Sequence, residues 1–184
     1  DKFILNQDQK NRFLAILYPD LYAKNEAFQQ NRGIGAIGSG QFFGQGLFNG
    51  NYTQSGAVPE NQNDFVFSVA GEELGFIGAI AVLVLLAAII LRIVINGKRA
   101  NDNASYLMCM GMASMLAAQV IINIGMVLQW LPVIGITLPF FSAGGSSNLC
   151  VYIGIGLMMS IYRFNQKTPV ANFRLQRVVT RFST

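Results

Sequence analysis

Apolar and polar positions are unevenly spread along this chain. Up to about residue 64, Gly, Asn, Gln and charged groups interrupt the apolar residues every few positions; beyond it the apolar residues merge into three long runs. A helix needs about 20 apolar residues to cross the hydrocarbon core of a bilayer. The runs predict three such helices, at about 65–96, 104–129 and 139–163. The first contains GAIAVLVLLAAIIL, which is apolar on every face, unlike the one-sided helix of a soluble domain. The expected fold is therefore an all-α membrane protein. Residues 1–64 form a large Gly-rich outer region with short helices, and residues 165–184 form a basic tail.

The approach to the third run is different in kind. PVIGITLPFFSAGGSS, residues 132–147, carries two prolines, three glycines and three serines. Irregular backbone exposed to lipid costs several kcal/mol per unsatisfied group, so this stretch is expected to line a protein-walled cavity or an interface.

Composition agrees with a membrane setting: 52% of residues are hydrophobic and 12% charged, against about 25% charged in a soluble domain. Histidine is absent, which excludes a His metal site or a His general base within the chain. Cys109 and Cys150 lie in apolar runs without zinc-like spacing and read as packing residues. No signal peptide precedes Asp1, and three spans alone are not expected to enclose a substrate cavity, so the chain reads as the C-terminal part of a larger membrane protein.

Basic residues set the expected orientation. Arg92, Lys98 and Arg99 follow the first span, and Arg163, Lys167, Arg174, Arg177 and Arg181 follow the third. Both flanks read as cytoplasmic by the excess of Lys and Arg there. The Gly-rich region and the turn at 130–139 then lie outside. The tail suits anionic lipid headgroups and has no pattern pointing to nucleic acid.

Several groups could carry chemistry. Glycines recur from Gly33 to Gly56, either as a flexible surface loop or as a cradle of inward amides for phosphate; no nucleotide-loop signature is present. Glu60, Asp64, Glu72 and Glu73 cluster in PENQNDFVFSVAGEELGFIG, residues 59–78, at the mouth of the first span. If a helix starts near Asp64, then Asp64, Ser68 and Glu72 share a face. Asp64 is equally placed to cap that helix. Carboxylates at the edge of a span, as Glu72 and Glu73 are, are expected to face a polar cavity or a partner. Gln119 and Asn123, four residues apart in the second span, either bond across helices or line the cavity. Ser142, Gly144, Gly145, Ser146 and Ser147 open the third span, suited to an anion at a helix start or to close helix packing.

These motifs resemble those of the SEDS family (shape, elongation, division and sporulation). PENQNDF and GEELG are similar to its PExxTDF and GEExG elements. AIGSGQFFGQGL is similar to AIGSGGLFGKGL, and LNQDQKNRFLAIL to LxxYQxxRxxxFL, with Gln9 and Arg12 on its polar positions. Residues 132–147, together with Asn123, fit the later fingerprint. The resemblance covers nearly the whole chain, in order. Departures are Gln45 for a lysine, Arg32–Gly33 where Gln–Ser is frequent, Asn61–Gln62–Asn63 before the Asp, Gln129, Trp130 and Thr137.

The resemblance implies a multi-pass glycosyltransferase of the bacterial cell membrane that polymerises lipid II in cell elongation, shape or division. Its essential aspartate falls on Asp64. Arg12 and Arg32 are then candidates to neutralise pyrophosphate, and Glu60, Glu72, Asn123, Ser142, Gly144, Gly145, Ser146 and Ser147 to contact substrate. Inverting hydrolases need an acid beside the base, but pyrophosphate leaves readily, so one carboxylate plus cations suffices. Asp64 either accepts the proton of the attacking sugar hydroxyl or holds a divalent cation, for which oxygen ligands suit magnesium or manganese. Implied partners are lipid II, the growing glycan strand, membrane lipids and a class B penicillin-binding protein transpeptidase. Alternative readings are a flippase for lipid II and a non-catalytic scaffold of the cell-wall machinery.

Overall fold

The computed structural model describes residues 26–55 and 63–167, and among them all regular structure is helical. In order these are α1 (Glu26–Gly40), α2 (Asn51–Gln54), α3 (Val66–Glu73), α4 (Gly75–Lys98), α5 (Asn103–Val127) and α6 (Gly145–Lys167). Three stretches are long and apolar enough to cross a membrane: Gly75–Lys98, Asn103–Val127 and Gly145–Asn165.

The first expected span, 65–96, is two helices. The chain breaks at Leu74–Gly75, where Gly75 takes φ 70. A helix break orphans donors on one side and acceptors on the other, and the loop after α1 satisfies both sets. Phe76 and Ile77 amides donate to the carbonyls of Gln41 and Phe42 (2.9 and 3.3 Å), while the carbonyls of Glu72 and Glu73 accept from Gln45 and Gly46 (2.9 and 3.1 Å). Four backbone groups are thus paired through a segment 27 to 35 residues away in sequence, roughly the pairing a buried backbone requires. Residues 41–46 are spliced into the break.

The third span also starts later than expected. Residues 132–144 are not helical and α6 opens at Gly145. Pro132 and Pro139 have no amide hydrogen to give to a helix.

One of the helices within the Gly-rich region is α1, which runs 15 residues through four glycines. Glycine lowers helix stability by about 1 kcal/mol per residue relative to Ala, so packing must hold α1 together. Gln30, Gly33, Ala36 and Gly40 are buried along one face. A Cβ on Gly40 would stand 2.0 Å from the Gly71 carbonyl oxygen and 2.8 Å from Glu72 Cα, so α1 and α3 touch backbone to backbone.

Two apolar clusters hold the helices. Ala36, Phe65, Phe67, Val82, Val127 and Leu138 join α1, α3, α4 and the end of α5. Ile93, Cys109, Leu116, Val151 and Met158 join α4, α5 and α6 at the other end.

Candidate active site

Asp64 immediately precedes the N-cap of α3. The residue at the cap position is Phe65, one place beyond Asp64. Phe65 is fully buried against α1, where a Cβ on Gly33 would come within 3.0 Å of its ring. The position of Asp64 is thereby fixed from the α1 side.

It is fixed from the α5 side by Asn123. The Asn123 amide nitrogen donates to the carbonyl of Asp64 (2.8 Å) and to that of Ile136 (2.7 Å). Asn123 is fully buried and its Oδ1 has no hydrogen-bond partner. One side chain thus ties Asp64 to the non-helical segment 132–138. Within that segment Gly135 takes φ 80, and a Cβ there would stand 3.3 Å from Asp64 Oδ2. The half-buried Asp64 carboxylate therefore lies over bare backbone.

The segment itself is held at several points. Gln30 of α1 donates to the carbonyls of Met126 and Leu131, both at 2.8 Å. The end of α5 closes with Gln129 in the left-handed region (φ 62) while the Trp130 and Leu131 amides return to the Gly125 carbonyl. Gln129 also donates to Asn31 on α1. Ser142 Oγ accepts from the Leu138 amide (2.8 Å), Asn148 donates to the Ser142 carbonyl (2.7 Å), and the Thr137 and Ser147 hydroxyls pair at 2.9 Å.

Several residues expected to contact substrate are used within the protein instead. Ser142 is buried, and the hydroxyls of Ser142 and Ser147 brace residues 137–138. Gly144 packs beneath the Thr137 methyl, 3.2 Å from its Cβ position. Only Gly145 and Ser146 of that group are exposed. Glu72, expected at a polar cavity, is fully buried: its oxygens accept from the Tyr52 amide (2.8 Å), the Thr53 amide (3.0 Å) and Ser39 Oγ (3.3 Å). The carboxylate caps α2 and binds it to α3, because free amides at a helix start favour an anion. Glu73, also buried, contacts Thr53 Oγ1. Arg32 is exposed, with its guanidinium 5.2 Å from the Phe28 ring centroid. Arg12 and Glu60 lie outside the described residues.

Two departures from the family pattern have structural uses. Gln45 donates to the Ser39 carbonyl and accepts from the Asn51 amide, and Gln129 forms the α5 end described above. Gln30 carries a bridge that its sequence did not announce; the only signal was its three-residue step to Gly33 and Ala36 on the buried face. Among the described residues no group of three or more His, Cys, Asp or Glu side chains converges. Magnesium is commonly held by one or two carboxylates together with water and substrate phosphate oxygens, a mode in which Asp64 would be the protein's ligand.

The family model described as "Cell cycle protein" (FTSW_RODA_SPOVE) matches residues 2–167. The peptidoglycan glycosyltransferase MrdB of Escherichia coli K12 is 34% identical over 160 residues, covering 87% of this chain and 43% of MrdB. Stage V sporulation protein E of Bacillus subtilis 168 is 39% identical over 140 residues, covering 76% of this chain and 38% of that protein. A solved structure described as "Structural coordination of polymerization and crosslinking by a peptidoglycan synthase complex" contains a chain similar at a TM-score of 0.70 and 30% identity, covering 89% of this chain and 44% of that one. The chain spans less than half the length of these relatives. With its three candidate spans and motifs matched in order, this membrane protein belongs to the SEDS family of FtsW, RodA and SpoVE.

Proposed function

We propose that the chain supplies the catalytic carboxylate of a peptidoglycan glycosyltransferase that polymerises lipid II. The observation that carries this reading is Asp64, half-buried at the mouth of the α4 and α5 spans, its backbone pinned by Asn123 and its carboxylate over Gly135. Relatives named as peptidoglycan glycosyltransferases support the reaction class.

In this reaction a sugar hydroxyl attacks the anomeric carbon of a second lipid-linked disaccharide. The new C–O bond forms as the bond to undecaprenyl pyrophosphate breaks, and the hydroxyl proton passes to Asp64. A single in-line displacement inverts the anomeric centre. No step is routed through a divalent cation. Pyrophosphate charge is met by Arg32 and Arg12, and Gly145 and Ser146 are the exposed groups at the α6 start open to substrate oxygens.

The basic residues Lys98 and Arg99 at the end of α4 support a topology with that end and the C-terminus cytoplasmic and residues 1–64 outside. A class B penicillin-binding protein that crosslinks the new strand is the fitting partner, in keeping with the synthase complex that holds a similar chain.

The test is glycan formation from purified lipid II by the intact protein, with and without divalent cation. A general base contributes about 10²–10⁴-fold, so Asp64→Ala is expected to lower the rate by at least roughly 100-fold. An unchanged rate removes the role assigned to Asp64. Retained lipid II flipping without any polymerisation by the wild-type protein points to the flippase class instead.

A further inference from the structure

The loop spliced into the α3–α4 break is apolar on its outward side. Phe42, Phe43, Leu47 and Phe48 are 67, 84, 64 and 80% exposed. Phe42 meets Phe76 of α4 edge to face at 6.1 Å, and the exposed apolar surface continues down the span through Ile77, Ile80 and Val84. Contiguous apolar patches of this kind are uncommon on surfaces that face water. No charged residue occurs between Arg32 and Glu60, although the flanking sequence is well supplied with them.

Two further observations bear on the setting of the patch. The Phe76 and Ile77 amides bond to the Gln41 and Phe42 carbonyls, which holds the loop level with the first turn of the span. At that depth Phe and Leu side chains can enter the boundary between headgroups and acyl chains, as on the apolar face of an interfacial helix. Phe48 also sits in the left-handed region (φ 61), a conformation that bulky residues adopt only when their surroundings impose it.

We propose that residues 41–48 form an interfacial anchor, seated in the phospholipid surface of the leaflet into which the α4 N-terminus opens. Its aromatic rings extend the lipid-facing surface of α4 sideways, and a groove of about 520 Å³ between Ile37, Gly38, Gln41, Phe42 and Phe76 accepts a phospholipid acyl chain. The same loop donates to the carbonyls of Glu72 and Glu73, so the anchor sets the height of α3 and of the preceding Asp64 relative to the headgroups. This last consequence rests on the proposed role of Asp64; the anchor itself does not.

The test replaces Phe43, Leu47 or Phe48 of the intact protein, one at a time, with the photo-crosslinking residue benzoylphenylalanine. The protein is irradiated in phosphatidylethanolamine–phosphatidylglycerol vesicles and its adducts are identified by mass spectrometry. Exposed Gln54 on α2 is the reference position. Burial of an aromatic ring in lipid favours that state by an order of magnitude or more, so lipid adducts roughly tenfold above those at Gln54 are expected. Adducts chiefly to another polypeptide segment, or a lipid yield equal to that at Gln54, overturn the proposal. Three positions guard against one variant failing to accumulate. Because the readout is not polymerisation, failure of the anchor is distinguishable from failure of the catalytic assignment.

Discussion

Replacing Asn123 with Ala removes two hydrogen bonds, at 2.8 and 2.7 Å, and leaves the carbonyls of Asp64 and Ile136 without that donor. An orphaned buried acceptor costs about 1–3 kcal/mol. Asp64 and Ile136 are both only half-buried, so water recovers part of this and the low end applies, about 1 kcal/mol each. The sum is about 2 kcal/mol, and if it falls on the placement of Asp64 it corresponds to roughly 30-fold in rate. The assay is the initial rate of glycan formation by intact protein across a range of lipid II concentrations. A positioning role predicts that kcat falls while KM stays within about threefold. Gln119→Met serves as the comparison, since Gln119 Oε1 is buried without a partner and its removal is expected to leave the rate unchanged and the melting temperature unchanged or higher. If Asn123→Ala keeps full kcat, or raises KM alone, then Asn123 does not act by holding Asp64.

Three further outcomes are expected. Glu72→Ala frees the Tyr52 and Thr53 amides, at about 1–3 kcal/mol for each donor left buried, and should speed proteolysis near α2 several-fold; an unchanged cleavage pattern would falsify the clamp. Gly40→Ala drives a methyl into the Gly71 carbonyl and should lower folded yield in membranes, by a loss of about 1–3 kcal/mol typical of overpacking, read by monodispersity after extraction. Asp102 caps α5 by accepting from the Ser105 amide at 2.8 Å, and that backbone hydrogen bond, then a side-chain hydrogen bond from Ser105, holds its carboxyl below the ordinary value of 3.8. A depressed folded pKa means the cap's contribution is complete above 3.8 and is lost as pH falls through the lower folded value. Hydrogen exchange at Ser105 should therefore accelerate only in that acid window, and Asp102→Asn should abolish the pH dependence.

The spans could be read from the chain because GAIAVLVLLAAIIL leaves no polar face, whatever it packs against. The break at Gly75 could not, since it exists only where residues 41–46 arrive to pair with both sides. Likewise α1 runs through glycines that disfavour a helix; the gain from laying Gly33 and Gly40 on α3 is tertiary and outweighs helix propensity. The irregularity of 132–144 was legible from its prolines and glycines. The inward use of Glu72, Ser142 and Ser147 was hidden because a carboxylate or hydroxyl beside a span suits a ligand and the protein's own amides equally well.

At Gly40 and Gly71 the two main chains meet with no side chain interposed. Rotamers elsewhere cushion small displacements, but here there is none to turn. A partner that leans on α1 would therefore shift α3 and the acidic group at its head together, as one stiff lever. Two missing methyl groups thus make the outer helix a handle through which a neighbour could move that acidic group.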